Sequence, residues 1–253
     1  MNQDRRNEIV ELINKQRTVK NTELIERFGI SIETVRRDLE YLEQQGYLKR
    51  VYGGAVVRAQ LGNEPEYNSR AQENSVEKEA IARAAAQLVS SDETIFLDVG
   101  TTLLSMAQHI RTDGPFTVFT NSIRTAIALS QNADCSVILP GGQMRPGELA
   151  LSGFPAEDNM QHFNISKAFI GAAGITESGI TDFHLGEANL RRQLIRNAGQ
   201  VIVLADSSKF GVRAMSNICP LSSVDIVVTD SKVPAKFIRQ LEQAGVRVIL
   251  AKV

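Results

Sequence analysis

The sequence predicts an α/β protein in two parts: a small helical region that ends in a hairpin, followed by a larger region built on a largely parallel sheet. Three observations support this fold class. Apolar residues recur at helical spacing in residues 1–57, residues 58–75 are polar and aperiodic, and from residue 76 short apolar runs alternate with helical segments. The predicted boundaries are therefore a first domain at 1–57, a linker at 58–75 and a second domain at 76–253.

The composition indicates a globular protein with an ordinary core. Of the 253 residues, 43% are hydrophobic and 23% are charged, and the formal net charge is -1. This balance excludes a globally basic nucleic-acid coat, so any DNA binding must come from a local patch. The two cysteines, Cys135 and Cys219, lack disulfide or zinc spacing, and no metal or cofactor is predicted.

The N-terminus predicts neither secretion nor membrane anchoring. It begins with polar and charged residues, and no segment has the length and apolarity needed to span a bilayer. The sequence therefore predicts a cytoplasmic protein with no membrane partner, in which both cysteines are buried free thiols.

The first domain is predicted to be a winged helix-turn-helix. A first helix carries an apolar stripe, a second short helix stops at Gly29, and a third helix is capped by Ser31 and ends at Gly46. Two helices joined by a tight turn form a helix-turn-helix. The stretch "YLKRVYGGAVV" predicts a hairpin around Gly53 and Gly54, which adds the wing.

The third helix and the wing carry the candidate contacts to double-stranded DNA. Arginine near the start of a helix can bridge guanine O6 and N7 in the major groove, and basic wing residues can contact phosphates. The alternative is that Arg36 and Arg37 pair with Glu33 and Glu40 on a solvated helix face. The candidate DNA-binding residues are Ser31, Glu33, Thr34, Arg36, Arg37, Lys49, Arg50, Tyr52, Gly53 and Gly54.

Seven apolar runs in the second domain predict the strands of the parallel sheet. They are continuous rather than alternating, which is typical of strands covered by helices on both faces. Ligands of such sheets bind beyond the carboxyl ends of the strands. The runs are residues 94–98, 116–120, 136–139, 167–171, 201–205, 225–229 and 246–250.

Small polar clusters follow several of these runs: "DVGTT", "TNS", "PGGQMR", "IGAAGI" and "ADSSKF". Any one of them could be an ordinary turn, but their recurrence after strands predicts a shared site. Backbone N–H groups and hydroxyls at a helix start suit a phosphate.

Roles within this site follow from side-chain chemistry. Asp98 is a candidate acceptor for a ligand hydroxyl, Lys209 and Arg145 are candidate cations, and His184 and Glu187 could bind sugar hydroxyls. A packing or capping role is the alternative for His184. The predicted ligand-binding residues are Asp98, Gly100, Thr101, Thr102, Asn121, Ser122, Gly141, Gly142, Arg145, Gly171, Ala172, His184, Glu187 and Lys209.

The stretch "GISIETVRRDLEYLEQQGYLKRVYGGAVV" resembles the N-terminal signature of the DeoR family of bacterial transcriptional repressors, in which an "RRDL" helix precedes a "GGA" wing. The resemblance implies that Thr34, Arg36 and Arg37 lie on the recognition helix and that Gly53 and Gly54 shape the wing. "DVGTT", "ILPGGQ", "KAFIGAAGI" and "VLADSSKFG" resemble the sensor domain of the same family, so the similarity runs nearly end to end.

That sensor domain resembles ribose-5-phosphate isomerase, and the resemblance implies that Thr101, Thr102 and Lys209 bind phosphate. The isomerase has an "IDGAD" stretch with two carboxylates for proton transfer, whereas this chain has Gly171 and Gly174 at those positions. Glycine cannot act as the base that isomerisation needs. A displaced base, Asp182 or Glu187, stays open.

The sequence thus predicts a repressor of a carbohydrate-metabolism operon, controlled by a phosphorylated sugar or related metabolite. The resemblance implies that the effector relieves repression, and a two-fold operator requires a homo-oligomer, either a dimer or a tetramer. Two alternatives remain open at this point: a sugar-phosphate isomerase fused to a winged helix, and a winged helix that binds protein.

Overall fold

The computed structural model describes residues 2–16, 18–44, 48–57 and 64–253. They fall into two compact units, Met1–Gln60 and Leu61–Val253. The predicted end of the third helix at Gly46 and the first part of the predicted linker, residues 58–63, lie outside the described residues.

The N-terminal unit has the predicted helix-turn-helix and wing. Its elements are α1 (Asn2–Gln16), β1 (Thr18–Lys20), α2 (Asn21–Phe28), α3 (Ile32–Gln44), β2 (Leu48–Val51) and β3 (Gly54–Val57). The hairpin β2–β3 gains a third strand, because β1 pairs antiparallel with β3. A Cβ at Gly54 would overlap the carbonyl oxygen of Val19, so this close pairing requires glycine.

Apolar residues from all three helices and the hairpin form one small core in this unit. They include Ile9, Ile13, Leu24, Val35, Leu39 and Leu48, none more than 2% exposed. Asp38, also buried, accepts from Arg5 and Arg6 of α1 at 2.7 Å each. These ion pairs fix α3 against α1 and hold its outer face in one orientation. The pattern of apolar residues on α3 does not predict that Asp38 points inward.

The C-terminal unit is built on the predicted parallel sheet. Its helices are α4 (Tyr67–Gln72), α5 (Ser75–Ala86), α6 (Thr101–His109), α7 (Ile123–Leu129), α8 (Phe154–Met160), α9 (Leu185–Asn197) and α10 (Ala235–Gln243). Its strands are β4 (Thr94–Leu97), β5 (Phe116–Thr120), β6 (Cys135–Ile138), β7 (Gln143–Arg145), β8 (Ala150–Ser152), β9 (Ile165–Gly171), β10 (Gly174–Thr176), β11 (Gly179–Asp182), β12 (Ala198–Leu204), β13 (Ser216–Cys219), β14 (Ile226–Asp230) and β15 (Arg247–Ala251).

All seven apolar runs become strands of one parallel sheet, in the order β15-β14-β12-β9-β4-β5-β6. Alternate residues of each strand enter two separate cores: Phe96 packs on one face, and Ile95 and Leu97 on the other. Helices α9 and α10 cover the first face, and α5 and α6 cover the second. The sequence did not predict the hairpin β7–β8 or the small sheet β10-β11-β13, whose strands have only three or four residues.

The order of the strands creates a topological switch point. The chain runs from β4 outward to β5 and β6, then returns to β9 on the other side of β4. Loops that leave β4 and β9 therefore diverge and leave a crevice at the carboxyl edge of the sheet.

The segment 64–75 differs from the predicted linker. It contains α4 and the first residue of α5, and its side chains form ion pairs with the rest of the C-terminal unit. Because α4 buries none of its residues, the sequence has no apolar pattern to reveal it. Cys135 and Cys219 are free thiols, as predicted, but both are only partly buried. Within the described ranges, every helix is too short or too polar to cross a bilayer.

Gly171 at the end of β9 and Gly174 at the start of β10 differ in the space around them. A Cβ at Gly174 would overlap the carbonyl oxygen of Val212, whereas a Cβ at Gly171 would meet its neighbours at 3.6 Å, an ordinary contact. We expect Gly174→Ala to lower the free energy of unfolding by about 1–3 kcal/mol through overpacking. Urea unfolding measures this, with Gly171→Ala as the matched control. Equal losses in the two variants would contradict the packing seen at Gly174.

Candidate functional site

A pocket lies at the switch point, beyond the carboxyl ends of β4, β9 and β12. It is lined by Glu64, Pro65, Arg70, Lys78, Val99, Gly100, Thr101, Thr102, Leu103, Glu148, Gly171, Ala172, Ala173, Asp182, Phe183, Glu187, Arg191, Leu204, Ala205, Asp206 and Lys209. Of the predicted ligand-binding residues, the structure brings seven together here: Gly100, Thr101, Thr102, Gly171, Ala172, Glu187 and Lys209.

The start of α6 forms one wall of this pocket. Gly100 precedes the helix with φ 154°, a conformation that favours glycine, and it brings no side chain to cap the helix. The first N–H groups of an α-helix have no partner within the helix, and they carry the positive end of its dipole. Thr101 and Thr102 add hydroxyls beside them. This wall can donate hydrogen bonds to an anion.

Two lysines line the same pocket. Lys209 lies on the turn after β12, where Asp206 accepts from Ser208 N at 3.0 Å and shapes the turn. Lys78 of α5 is 6% exposed, and its ammonium donates to the carbonyl of Arg70. Burial lowers the pKa of Lys78. The sequence missed Lys78 because it stands in an ordinary charged stretch of an Ala-rich helix.

Asp98 has a different role from the predicted one. Its side chain is fully buried and accepts from Val99 N at 2.8 Å, Asn121 Nδ2 at 3.1 Å, Gly171 N at 3.2 Å and Arg191 Nε. Four donors use the full accepting capacity of a carboxylate. Asp98 therefore joins the loops after β4 and β9 and is not available to a ligand hydroxyl.

Arg191 of α9 is the partner that the sequence did not reveal. Only 4% exposed, it pairs with Asp98 and Asp182, and its Nη2 lies 3.6 Å from Glu187 Oε2. One guanidinium thus joins carboxylates from a β4 loop, from β11 and from its own helix. The network forms a rigid polar wall at the crevice.

Asn121, Ser122, Gly141 and Gly142 serve the local structure of their loops and line neither this pocket nor the open one beside it. Asn121 donates to Asp98, and Ser122 caps α7 by accepting from Thr125 N at 3.2 Å. Gly142 packs against the backbone of Ser152. Small residues after strands therefore serve the turns here, which corrects the prediction for these four positions.

Arg145 and His184 line the shallow open pocket next to the first one. Arg145 Nη1 lies 2.7 Å from Glu64 Oε2, and its Nη2 lies 2.8 Å from Glu187 Oε1. His184 caps α9, because its Nδ1 accepts from Glu187 N at 3.4 Å. Burial, followed by the charge of Arg145, lowers the pKa of His184. His184 therefore has the capping role that was the alternative to binding a sugar hydroxyl.

The predicted DNA contacts lie on the outer face of α3 and on the wing. Arg36 and Arg37 are exposed, and within the described part of the chain neither forms an ion pair, so the pairing with Glu33 and Glu40 is not observed. On the wing, by contrast, one candidate forms an ion pair: Arg50 Nε lies 2.8 Å from Glu43 of α3. The other candidates on this surface are Ser31, Thr34, Lys49, Tyr52, Gly53 and Gly54.

Ser31 caps α3, since its hydroxyl accepts from Thr34 N at 3.3 Å. Tyr52 at the tip of the wing is fully exposed, next to Gly53. An exposed aromatic ring at the end of a hairpin lies beside two exposed arginines that form no ion pair with any described residue. Together they form a surface that can contact both grooves and the phosphates of a duplex. Among the described residues, no three His, Cys, Asp or Glu side chains form a metal-ligating group.

Two family models match the chain. Residues 5–60 match the DeoR-like helix-turn-helix domain, and residues 73–231 match the DeoR C-terminal sensor domain. Together they span both units of the structure.

Curated relatives match over nearly their whole length. The HTH-type transcriptional regulator GolR of Listeria innocua is 34% identical over 98% of each chain, and the Glycerol-3-phosphate regulon repressor of Escherichia coli is 33% identical over 94% of each. The HTH-type transcriptional repressor GlcR of Bacillus subtilis is 31% identical over 96% of this chain and 94% of its own. Ribose 5-phosphate isomerase A of Methanocaldococcus jannaschii aligns over 55% of each chain with TM-score 0.40 and 18% identity.

The buried carboxyl of Glu187 generates a prediction about pH. Burial, together with the negative charges of Asp98, Glu64 and Glu148, raises its pKa from 4.5 to about 8 against the opposing effect of Arg145. The folded state therefore binds a proton that the unfolded state has released between about pH 4.5 and 8. Stability from this group is complete below the lower pH and is lost as pH rises to the upper one.

We expect wild type to lose stability relative to Glu187→Gln by up to about 1.4 kcal/mol per pH unit inside this window. Urea unfolding at pH 5, 6, 7, 8 and 9 measures the difference between the two proteins. The plot of this difference in unfolding free energy against pH should flatten above pH 8. A difference that stays constant from pH 5 to 9 would show that Glu187 is ionised throughout.

Proposed function

The chain belongs to the DeoR family and is a DNA-binding transcriptional regulator of carbohydrate metabolism, and we propose that a phosphorylated sugar bound in the crevice pocket controls its repressor activity. One observation carries this proposal. The uncapped start of α6, with Thr101 and Thr102, shares a pocket with the two lysines Lys78 and Lys209. Backbone donors, hydroxyls and ammonium groups together suit a phosphate.

The rest of the pocket suits the sugar. Asp182, Glu187 and Arg191 line it with polar groups held in place by the buried network. Such groups can exchange hydrogen bonds with hydroxyls, and their fixed positions give orientation and selectivity. We infer that the effector lies with its phosphate at α6 and its hydroxyls toward α9.

The site favours sensing over turnover, in agreement with the regulators to which the chain is similar. Gly171 and Gly174 stand where an isomerase has carboxylates. The two side chains that could act as a displaced general base, Asp182 and Glu187, both interact with other groups. Asp182 pairs with Arg191, and Glu187 holds its proton up to about pH 8 while lying 2.8 Å from Arg145. A general base must be free to take a proton from carbon near neutral pH.

We propose that Arg36 and Arg37 bind base edges or phosphates in the major groove, and that Lys49 and Tyr52 of the wing contact the neighbouring DNA backbone.

A two-fold operator is matched by a homo-oligomer, a dimer or a tetramer. The effector relieves repression by favouring the conformation with lower affinity for DNA, which requires that it bind the two conformations unequally. Such a regulator works in the cytoplasm, where the operator is.

The proposed phosphate site is tested by thermal shift with phosphorylated sugars and their unphosphorylated parents. A ligand at one hundred times its dissociation constant stabilises the folded state by about 2.7 kcal/mol, so a phosphorylated sugar should raise Tm more than its unphosphorylated parent does at the same concentration. Lys209→Ala should weaken binding by about tenfold or more, because hydrogen bonds to charged groups contribute about 1.5–3 kcal/mol.

The matched control is Lys252→Ala, which removes the same charge from an exposed position near the C-terminus. It should bind like wild type. Stabilisation by the unphosphorylated sugars alone, or equal binding by the two lysine variants, would refute the phosphate site.

The DNA-reading surface is tested by mobility shift on the DNA upstream of the chain's own operon. Arg36→Ala or Arg37→Ala should weaken specific binding by about 1–3 kcal/mol, the usual contribution of an arginine at a base edge. A lost phosphate contact would instead reduce the dependence of log K on log salt by about one unit.

Arg239→Ala, on α10 of the sensor unit, is the control for charge and should leave binding unchanged. If Arg36→Ala and Arg37→Ala both retain full specific binding while folded, the operator is not read by α3. Failure of the wild-type chain to bind any duplex specifically would favour the interpretation of the winged helix as a protein-binding module.

A further inference from the structure

The segment 64–74, which we call the strap, is the first part of the sensor unit described after residues 58–63. The chain passes through it from the N-terminal unit to the sensor unit. Any signal carried along the chain between the two units must pass through the strap. Its attachment to the pocket is therefore of functional interest.

The strap is attached at its N-terminal end by charge. Glu64 lies 2.7 Å from Arg145 Nη1 and 3.1 Å from Arg70 Nη2, and Arg70 in turn pairs with Glu148. Helix α4, which the structure describes in full, buries none of its residues. Elements held by partly exposed ion pairs with little apolar burial are the ones that detach at low cost.

The C-terminal end of the strap is attached to the same pocket. Lys78 donates to the carbonyl of Arg70, and Asn74 Nδ2 donates to Asp206 Oδ1 at 3.1 Å. Lys78, Asp206 and Glu148 all line the pocket, as do Glu64 and Arg70 of the strap itself. A ligand in the pocket therefore contacts the strap and the groups that hold it.

The charges at this attachment are already balanced without a ligand. The carboxylates of Glu64 and Glu148 neutralise the guanidinium groups of Arg70 and Arg145, and the raised pKa of Glu187, the third acidic side chain beside Arg145, keeps that group neutral up to about pH 8. A further anion adds repulsion unless one carboxylate leaves. Glu64 is the one that can leave, because its side chain is 19% exposed, against 9% for Glu148 and 2% for Glu187.

We propose that Glu64 is an internal competitor for the effector: its carboxylate occupies an anion subsite formed by Arg70 and Arg145, and an anionic effector that takes Arg145 displaces Glu64 and releases the N-terminal end of the strap. This proposal rests on the proposed function in that the effector enters the crevice pocket. The phosphate at α6 carries more charge than one carboxylate and so outcompetes Glu64. The strap-bound state is the one that binds DNA, and release of the strap lowers affinity for the operator.

Hydrogen–deuterium exchange on the full chain tests the proposal without any ligand. Glu64→Gln removes the competing charge and should raise exchange of residues 64–74 about threefold or more, the size expected for a partly exposed ion pair. The matched control is Glu66→Gln, the same change on the same strap, at an exposed side chain that has no partner among the described residues. Equal exchange in the two variants would overturn the proposal.

Inorganic phosphate, with sodium chloride at equal ionic strength as the reference, tests the competition. In wild type, phosphate should slow exchange at residues 101–106 and speed it at 64–74, and Glu64→Gln should bind phosphate about threefold more tightly than Glu66→Gln. Slower exchange of the strap with phosphate would overturn release. If phosphate leaves residues 101–106 unchanged, the proposed phosphate site fails, and the comparison of the two glutamine variants still decides whether Glu64 holds the strap.

Discussion

The pair of Asp98 and Arg191 is the interaction on which the site depends. A carboxylate buried at the carboxyl end of β4 is unfavourable unless donors surround it, and Arg191, Asn121 and the N–H of Gly171 supply them. Those donors come from α9, the loop after β5 and the end of β9. Satisfying one buried charge therefore fixes the positions of four elements around the switch point and sets where the N-terminus of α6 faces the crevice. Removing either partner would leave an uncompensated charge in the interior.

This constraint separates the site into a rigid part and a detachable part. The network around Arg191 is almost fully buried, whereas the strap is held by side chains that are partly exposed. Interactions of the first kind are expensive to break, and those of the second kind contribute little each. A sensor needs both properties, since its binding residues must hold their geometry while some other element has two arrangements of similar free energy.

The sequence predicts the parts of this molecule that depend on local patterns. Seven strands are visible as apolar runs because both faces of the sheet are covered, and the wing is visible because close pairing at Gly54 demands glycine. Ion pairs between residues that are far apart in the chain leave no such local pattern. Arg191 is 93 residues from Asp98 and Arg145 is 81 residues from Glu64, and a charged residue has the same appearance in a sequence whether it is solvated or buried in a network. For this reason the sequence predicts Asp98 to be a ligand contact, and it does not reveal the positions of Lys78 and Arg70 at the pocket.

The same division limits which molecules can act as effectors. A sugar that contacts only the rigid wall of Asp182 and Arg191 can bind. Because it has equal affinity for the strap-bound and strap-released states, it does not shift the equilibrium between them. An anion that reaches Arg145 has different affinity for the two states, because Glu64 must leave for it to bind well. Affinity and signalling then come from different ends of one ligand. On this argument the phosphate serves as the signalling group as well as a handle for binding, and an unphosphorylated sugar that fits the pocket would act as a competitor of the effector.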